Sequence, residues 1–199
     1  MIAYCINLSE RLEKWERASK QFRKLPFNVL KFSATKKVIG FDGCRESHLN
    51  VLEHARVNYP GELITVFEDD VKFLGNHPWF DVERAMEELP KDWDMLYLGA
   101  TLTKPVQRYS EHLFRMTDGA WTTHAMIFNN QNGIIEHILE NNGGGRKIDV
   151  YYANEIQKRF NCYIAYPMIA TQQDGFSDIQ NKNVNNSMII QDYYNKFTR

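Results

Sequence analysis

Three adjacent carboxylates, Glu68, Asp69 and Asp70, are the densest concentration of chemistry in this sequence. They follow Leu63-Ile-Thr-Val-Phe67, a short, uncharged, β-rich run that reads as a strand buried on both faces. Open α/β sheets bind ligands outside the carboxyl ends of their strands. Three like charges at such an end repel one another unless a positive group sits among them. A hard divalent cation, Mg²⁺ or Mn²⁺, held by one or two carboxylates and by substrate phosphates, meets that need. With the strand taken as continuous through Phe73, alternation puts Glu68 and Asp70 on one face and Asp69 on the other. The competing reading is a solvated acidic turn with no ligand.

Other residues of suitable type lie elsewhere in the chain. Asn7 and Arg11 stand at the end of an apolar first segment and are placed to touch a nucleotide; otherwise they are a turn asparagine and a solvated arginine. His48 and His54 are not one helical turn apart, and a buried, hydrogen-bonded His48 is expected. His124 lies in an alternating segment and reads as a satisfied strand histidine, with a metal or phosphate contact as the alternative. Trp121 and Tyr109 are stacking candidates for a sugar, against core packing. Cys5, Cys44 and Cys162 are scattered, show no metal-ligand spacing, and read as reduced, mostly buried thiols, which favours a cytoplasmic setting.

The elements that position these groups can be read from periodicity. Residues 2–8 read as a strand, 11–23 as an amphipathic helix capped by Ser9, and 27–32 as a second strand, a βαβ beginning without a glycine-rich phosphate loop. Residues 40–48 read as a turn leading into a helix that ends at Tyr59-Pro60-Gly61. After the acidic strand come a helix over 78–89 and a strand over 94–99. Two strands over 106–116 and 120–128 should form a hairpin through Asp118-Gly119. Helices over 129–141 and 148–160, separated by the glycine run ending at Gly145, precede a strand over 162–166. From Gln172 the chain is polar, asparagine-rich and reads as irregular, with its aromatic residues suggesting a place at the rim of a site.

The 199 residues suit a single domain, 1–199, with 171–199 as its polar C-terminal segment. A net charge of −1 gives no reason to expect nucleic acid or an anionic membrane as partner. No apolar run reaches the ~20 residues of a membrane span. The apolar N-terminus lacks a basic leader region and reads as a strand rather than a signal peptide.

Taken together, Ile6-Asn-Leu8 with Arg11, Gly43-Cys44 with Ser47-His48, Phe67-Glu-Asp-Asp70 and Trp93-Asp-Met-Leu-Tyr-Leu-Gly99 resemble glycosyltransferase family 25, the lipooligosaccharide and collagen galactosyltransferases. Thr123-His-Ala125, Ile148-Asp149, Pro167, Gln172 and Ser177-Asp-Ile179 are looser matches in the same order, over residues 1–180. The lysine-rich, short 33–40 segment and the brief tail depart from the family pattern and leave donor and acceptor identity open.

The resemblance implies a GT-A-like, Rossmann-type α/β mixed sheet flanked by helices. It also implies a nucleotide-diphosphate sugar donor, a UDP-sugar first among them, a Mn²⁺ or Mg²⁺ ion, and transfer of a hexose, galactose foremost, to a glycan or other hydroxyl acceptor with inversion. Under it, Asn7, Leu8, Arg11, Glu68 and Asp69 face the donor nucleotide, Asp70 and Glu68 hold the metal, and Asp149 is the catalytic base. The plain role for Asp149 is a helix cap. Asp118 and Asp178 are reserve bases. The rivals are a nucleotidyltransferase or phosphohydrolase using the same acids, and a non-catalytic binder of a sugar nucleotide or glycan.

Overall fold

The computed structural model describes residues 1–141, 145–177 and 182–198. Its centre is an eight-stranded sheet. The strands are β1 (Ile2–Asn7), β2 (Leu30–Ser33), β3 (Leu63–Glu68), β5 (Met95–Tyr97), β7 (Gln107–Arg108), β8 (Leu113–Met116), β10 (Ala125–Asn129) and β11 (Cys162–Ala165), in the order β2-β1-β3-β10-β5-β11-β8-β7. β1 runs parallel to both β2 and β3, β11 is parallel to β5, and β10 is antiparallel to β3 and β5. The fold is the expected one: α/β, a Rossmann-type mixed sheet flanked by helices.

Side-chain alternation along the strands divides the core. Tyr4, Ile6, Ile64 and Val66 enter one layer, covered by α2 (Gly40–Asn58), α4 (Ile134–Glu140) and α5 (Ile148–Tyr151). Ala3, Cys5 and Phe67 enter the other, under α1 (Leu12–Phe22) and α3 (Pro78–Glu87). Period-2 strands buried on both faces are what a sheet between two helical layers requires. α5 runs through a π-helical turn (Tyr152–Ile156) into α6 (Gln157–Arg159).

Five local expectations are revised by the tertiary structure. The acidic strand is not continuous: β3 ends at Glu68, Asp69 and Asp70 turn, and β4 (Val71–Phe73) leaves the main sheet to pair antiparallel with β12 (Ala170–Gln172). The Asp70 carbonyl accepts the Gln173 N–H at 2.6 Å, so the turn is tied to the far end of the chain. Residues 40–48 are helical, not a turn. Gly43 allows α2 to begin there, because a Cβ would lie 2.6 Å from the Thr35 carbonyl oxygen.

The Asp118-Gly119 turn does not close a hairpin between neighbours. β8 pairs with β11 and β10 with β3 and β5, while β9 (Ala120–Trp121) pairs with β6 (Thr101–Leu102). Gly119 does adopt φ +76°, so the local turn signal is real, but burial of β10 at the sheet centre decides the pairing. The helix expected over 129–141 is shorter, because Asn129 still belongs to β10 and Gly133, with φ +81°, precedes α4. The C-terminal segment is structured: β13 (Gly175–Ser177) pairs with β14 (Lys182–Val184), and α7 (Asn186–Phe197) packs on β6 and β12. Buried Ile190 and Tyr194, one turn apart, anchor α7, and the Tyr194 hydroxyl donates to the Ala165 carbonyl at 2.5 Å. Among the described residues, no helix is long and apolar enough to cross a membrane.

Candidate active site

The strand order reverses between β1 and β3: from β1 the chain goes outward to β2, then returns to the other side as β3. A crevice opens at the carboxyl ends of strands where such a reversal occurs. Here it is a cavity of about 390 Å³ walled by Leu8, Arg11, Lys14, the 34–38 loop, the start of α2 and the three acids. Its cations are partly matched by local acids. Lys36 pairs with Glu10 at 2.5 Å, Lys37 with Glu46 at 2.9 Å, and Arg11 with Glu13 at 3.2 Å.

Each acid has a different second partner. Asp69 accepts from the Asn7 side-chain amide at 2.7 Å and lies 4.0 Å from Lys14 Nζ. Asn7 is buried, and the same amide nitrogen reaches the Arg11 carbonyl at 3.2 Å. It therefore stands behind the cavity, fixing Asp69 and the turn that carries Arg11, while Leu8 and Arg11 line the cavity itself. Glu68 Oε1 lies 3.1 Å from His48 Nε2 and accepts from the Thr123 hydroxyl at 2.6 Å. Burial pushes the Glu68 pKa up, but His48 and Thr123 outweigh it and leave the carboxyl below its ordinary value.

Asp70 is the unsatisfied member. Gln172 Nε2 donates to its Oδ2 at 3.1 Å, whereas Oδ1 is buried with no hydrogen-bond partner among the described residues. Burial, then the charges of Glu68 and Asp69, raise its pKa well above the usual carboxylate range. An orphaned carboxylate oxygen beside two further acids is a donor set suited to a hard divalent cation. The residues present thus fit such an ion, with Asp70 as first ligand and Glu68 in reach of the same space.

A second cavity, of about 750 Å³, shares Glu68, Asp70 and Cys44 with the first. Asp149 lines it, together with Trp121, Thr123, Gln172 and residues of α7. Asp149 is not the expected helix cap: Lys147 holds that position, and Asp149, in the first turn of α5, accepts its neighbour Val150 N–H at 2.8 Å. Burial raises the Asp149 pKa, the Val150 bond opposes this, and the nearby Glu68 charge adds to the rise. Asp118 is paired with Lys104 at 2.5 Å, and Asp178 lies outside the described residues, as does the 142–144 part of the glycine run. Tyr109 stacks edge-on against Tyr163, away from both cavities. His124 is buried in the bend before β10 rather than in a strand, and it is only partly satisfied: Nε2 lies 3.2 Å from the Ala170 carbonyl oxygen, while Nδ1 has no hydrogen-bond partner among the described residues.

The sequence reading gives His48, Thr123 and Gln172 no place on the acids, and it finds no metal spacing at the cysteines. On α2, however, Cys44 and His48 are one turn apart, and with Glu68 their ligand atoms lie within 4.8 Å of one another. The signal was present as Cys-x-x-x-His, hidden because residues 40–48 read as a turn. Burial, then the charges of Glu68, Asp149 and Asp70, push the Cys44 thiol well up. It lines both cavities as a neutral thiol.

No protein-family model matches the sequence, and no curated protein matches it. Among solved structures, A197 from STIV is similar in fold, with a TM-score of 0.54 and 11% identity over 92% of this chain and 93% of that one. A mannose-1-phosphate geranyltransferase from Thermus thermophilus gives a TM-score of 0.45 at 12% identity; the match covers 81% of this chain and 58% of the length of that one. Apo UDP-glucose pyrophosphorylase gives 0.45 at 10% identity over 98% of this chain and 79% of that one.

Proposed function

We propose that this chain is a glycosyltransferase in the manner of family 25. It moves a hexose, galactose foremost, from a nucleotide-diphosphate sugar to a hydroxyl of a glycan or other acceptor, with inversion. One observation carries the reading: two cavities share Glu68 and Asp70 in their walls, one at the sheet's switch point and one that adds a third, half-buried carboxylate, Asp149. A two-substrate transfer needs both, with the reacting centre between them.

In this reading the nucleotide lies against Leu8 and Arg11, and Asn7 acts on it through Asp69. Arg11, Lys14, Lys36 and Lys37 bring positive charge to the diphosphate. A divalent ion, Mn²⁺ or Mg²⁺, would be held by Asp70 and Glu68 and would offset the charge of the leaving diphosphate. Asp149 accepts the acceptor hydroxyl's proton as that oxygen bonds to the anomeric carbon. The bond from that carbon to the diphosphate oxygen breaks, and its electron pair leaves with the nucleoside diphosphate. Attack from the Asp149 side, opposite the leaving group, inverts the centre. The free thiols Cys5, Cys44 and Cys162 suit a reducing cytoplasm.

The test is product analysis with a panel of nucleotide sugars and Mn²⁺. Release of intact nucleoside diphosphate, with the sugar freed or transferred, supports the reading. Release of nucleoside monophosphate and sugar phosphate means attack at phosphorus and overturns it for a nucleotidyltransferase or phosphohydrolase. Binding of a donor without cleavage overturns it for a non-catalytic relative.

A further inference from the structure

The second cavity is built around a residue held in a costly conformation. Thr122, with φ +72°, is the one non-glycine residue in the left-handed region among those described. It is β-branched, for which that region is a genuine outlier. The strain sits between two residues that face the cavity. Trp121 before it is 37% exposed, a large share for an indole, and Thr123 after it is bonded to Glu68.

Two side chains, Thr122 and Gln157, hold this corner. The Thr122 hydroxyl donates to the Trp121 carbonyl and accepts the Thr101 N–H at 3.3 Å. Beneath it, the buried Gln157 amide acts as an extra strand: it accepts the Ala120 N–H at 3.1 Å and donates to the Ala120 carbonyl at 2.7 Å. Its nitrogen also reaches the Tyr97 hydroxyl at 3.0 Å. A two-residue strand is thereby fixed from both sides, and its exposed end is an indole. Across the cavity, α7 presents Ile189 and Tyr193, 48% and 43% exposed. Threonine hydroxyls and asparagine amides contribute to the rest of the wall, beside the acids and the lysines Lys147 and Lys182.

We propose that Trp121 is the platform for a pyranose ring of the acceptor, with Thr122 and Gln157 as its positioning residues. A pyranose has an apolar C–H face that packs on an aromatic ring, and a hydroxyl edge that needs amides and hydroxyls around it. The cavity supplies both, and its volume lies in the ~300–1,000 Å³ range of ligand sites. The proposal deepens the glycosyltransferase reading and rests on it for the word acceptor. It names a hexopyranoside as ligand class, on a wall that carries lysines (Lys147, Lys182) as well as the acids Glu68, Asp70 and Asp149.

The probe is a mixture of the methyl glycosides of galactose, glucose and mannose, observed by saturation-transfer NMR on the ring C–H protons. Wild-type protein is expected to saturate at least one glycoside. Trp121→Ala should weaken that binding about tenfold or more, and Trp121→Phe should restore part of it. Thr122→Gly should weaken it with little change in melting temperature, since glycine adopts φ +72° without strain and that relief offsets loss of the hydroxyl's bonds to Trp121 and Thr101. That combination separates positioning from folding. Absence of any signal with wild-type protein, or a signal undiminished in folded Trp121→Ala, overturns the proposal. Donor cleavage by wild-type protein is measured in parallel. If it occurs while the glycoside signal ignores Trp121, only the platform fails; if no donor is cleaved while the signal depends on Trp121, only the transferase reading fails.

Discussion

Asp70 is placed where its charge is costly without a counter-ion, and that sets a pH-dependent signature. Its pKa is raised in the folded protein, so folding binds its proton more tightly than the unfolded chain does. The resulting stability is complete below the unfolded pKa and is lost as pH rises through the folded value. Asp70→Asn removes that loss while keeping the volume. In chelator at alkaline pH, the variant should melt at or above the wild-type temperature, and Mn²⁺ should raise the melting temperature of wild type alone. A Mn²⁺ shift of equal size in the variant would take the metal away from Asp70. Asp149 makes the second prediction at this scale. As the base, it must be ionised, so the rate should climb with pH through its raised pKa. Asp149→Asn should lower kcat by ~10²–10⁴ and remove that limb of the profile, with donor KM nearly unchanged. A purely local role, in which the side chain only accepts the Val150 N–H, predicts otherwise, since an Asn amide oxygen accepts that bond too and turnover would survive.

Elements transmit these demands through close contacts. The start of α2 meets the 34–38 loop at Gly43, with Ser47 Oγ accepting the Thr35 N–H at 2.8 Å and donating to the Gly43 carbonyl at 2.6 Å. Gly43→Ala would drive a methyl to 2.6 Å from the Thr35 carbonyl oxygen and 3.2 Å from Lys37 N. The loop must move, at a cost of about 1–3 kcal/mol, the usual span for overpacking. Because that loop walls the donor cavity, donor KM should rise more than kcat falls, which thermal melts and steady-state kinetics can check. Away from the site, Glu88 ties α3 to the 110–112 loop, accepting from the Ser110 hydroxyl and from His112 N at 2.8 Å, with His112 Nδ1 at 2.5 Å. Burial opposes its ionisation, yet these partners bring its pKa down to about 2. A depressed pKa contributes stability above the unfolded value of about 4.5 that fades as pH falls through about 2. Glu88→Gln should therefore lower the melting temperature at neutral pH, and the gap should close in acid. A gap independent of pH would mean the carboxylate charge is not the cause.

At the scale of the whole molecule, the site is closed by residues far apart in sequence. Asp70 is held by Gln172 and Gln173, and the second cavity takes one wall from α7. Removing residues 186–199 would uncover the core around Ile190 and Tyr194 and strip that wall. The truncated chain should melt less cooperatively than the full chain, and nucleotide-sugar binding should weaken with it. A milder change, Tyr194→Phe, deletes one buried hydrogen bond to Ala165 and should cost about 1 kcal/mol. For the intact protein, a cognate donor at ~100 times its Kd should add about 2.7 kcal/mol of stability. A thermal-shift screen of nucleotide sugars with Mn²⁺ reads this directly.

Sequence by itself determined the features that rest on local periodicity and burial. The β-rich run before Glu68, the apolar run of residues 2–8 and the helical spacing of Trp15, Ala18 and Phe22 fixed an α/β sheet with acids at a strand end. Those signals survive because each reports one element's own solvent exposure. Tertiary structure alone decided what meets those acids. Nothing local says that Asn7 would hold Asp69, that His48 and Thr123 would share Glu68, or that Gln172 would reach Asp70 while leaving one of its oxygens bare. The same holds for the broken acidic strand, the hairpin that Asp118-Gly119 failed to close, and the ordered C-terminal helix. In each, a long-range partner outweighed a local preference worth ~1 kcal/mol or less, because burying a strand or a helix face removes far more apolar surface from water than a turn preference can oppose.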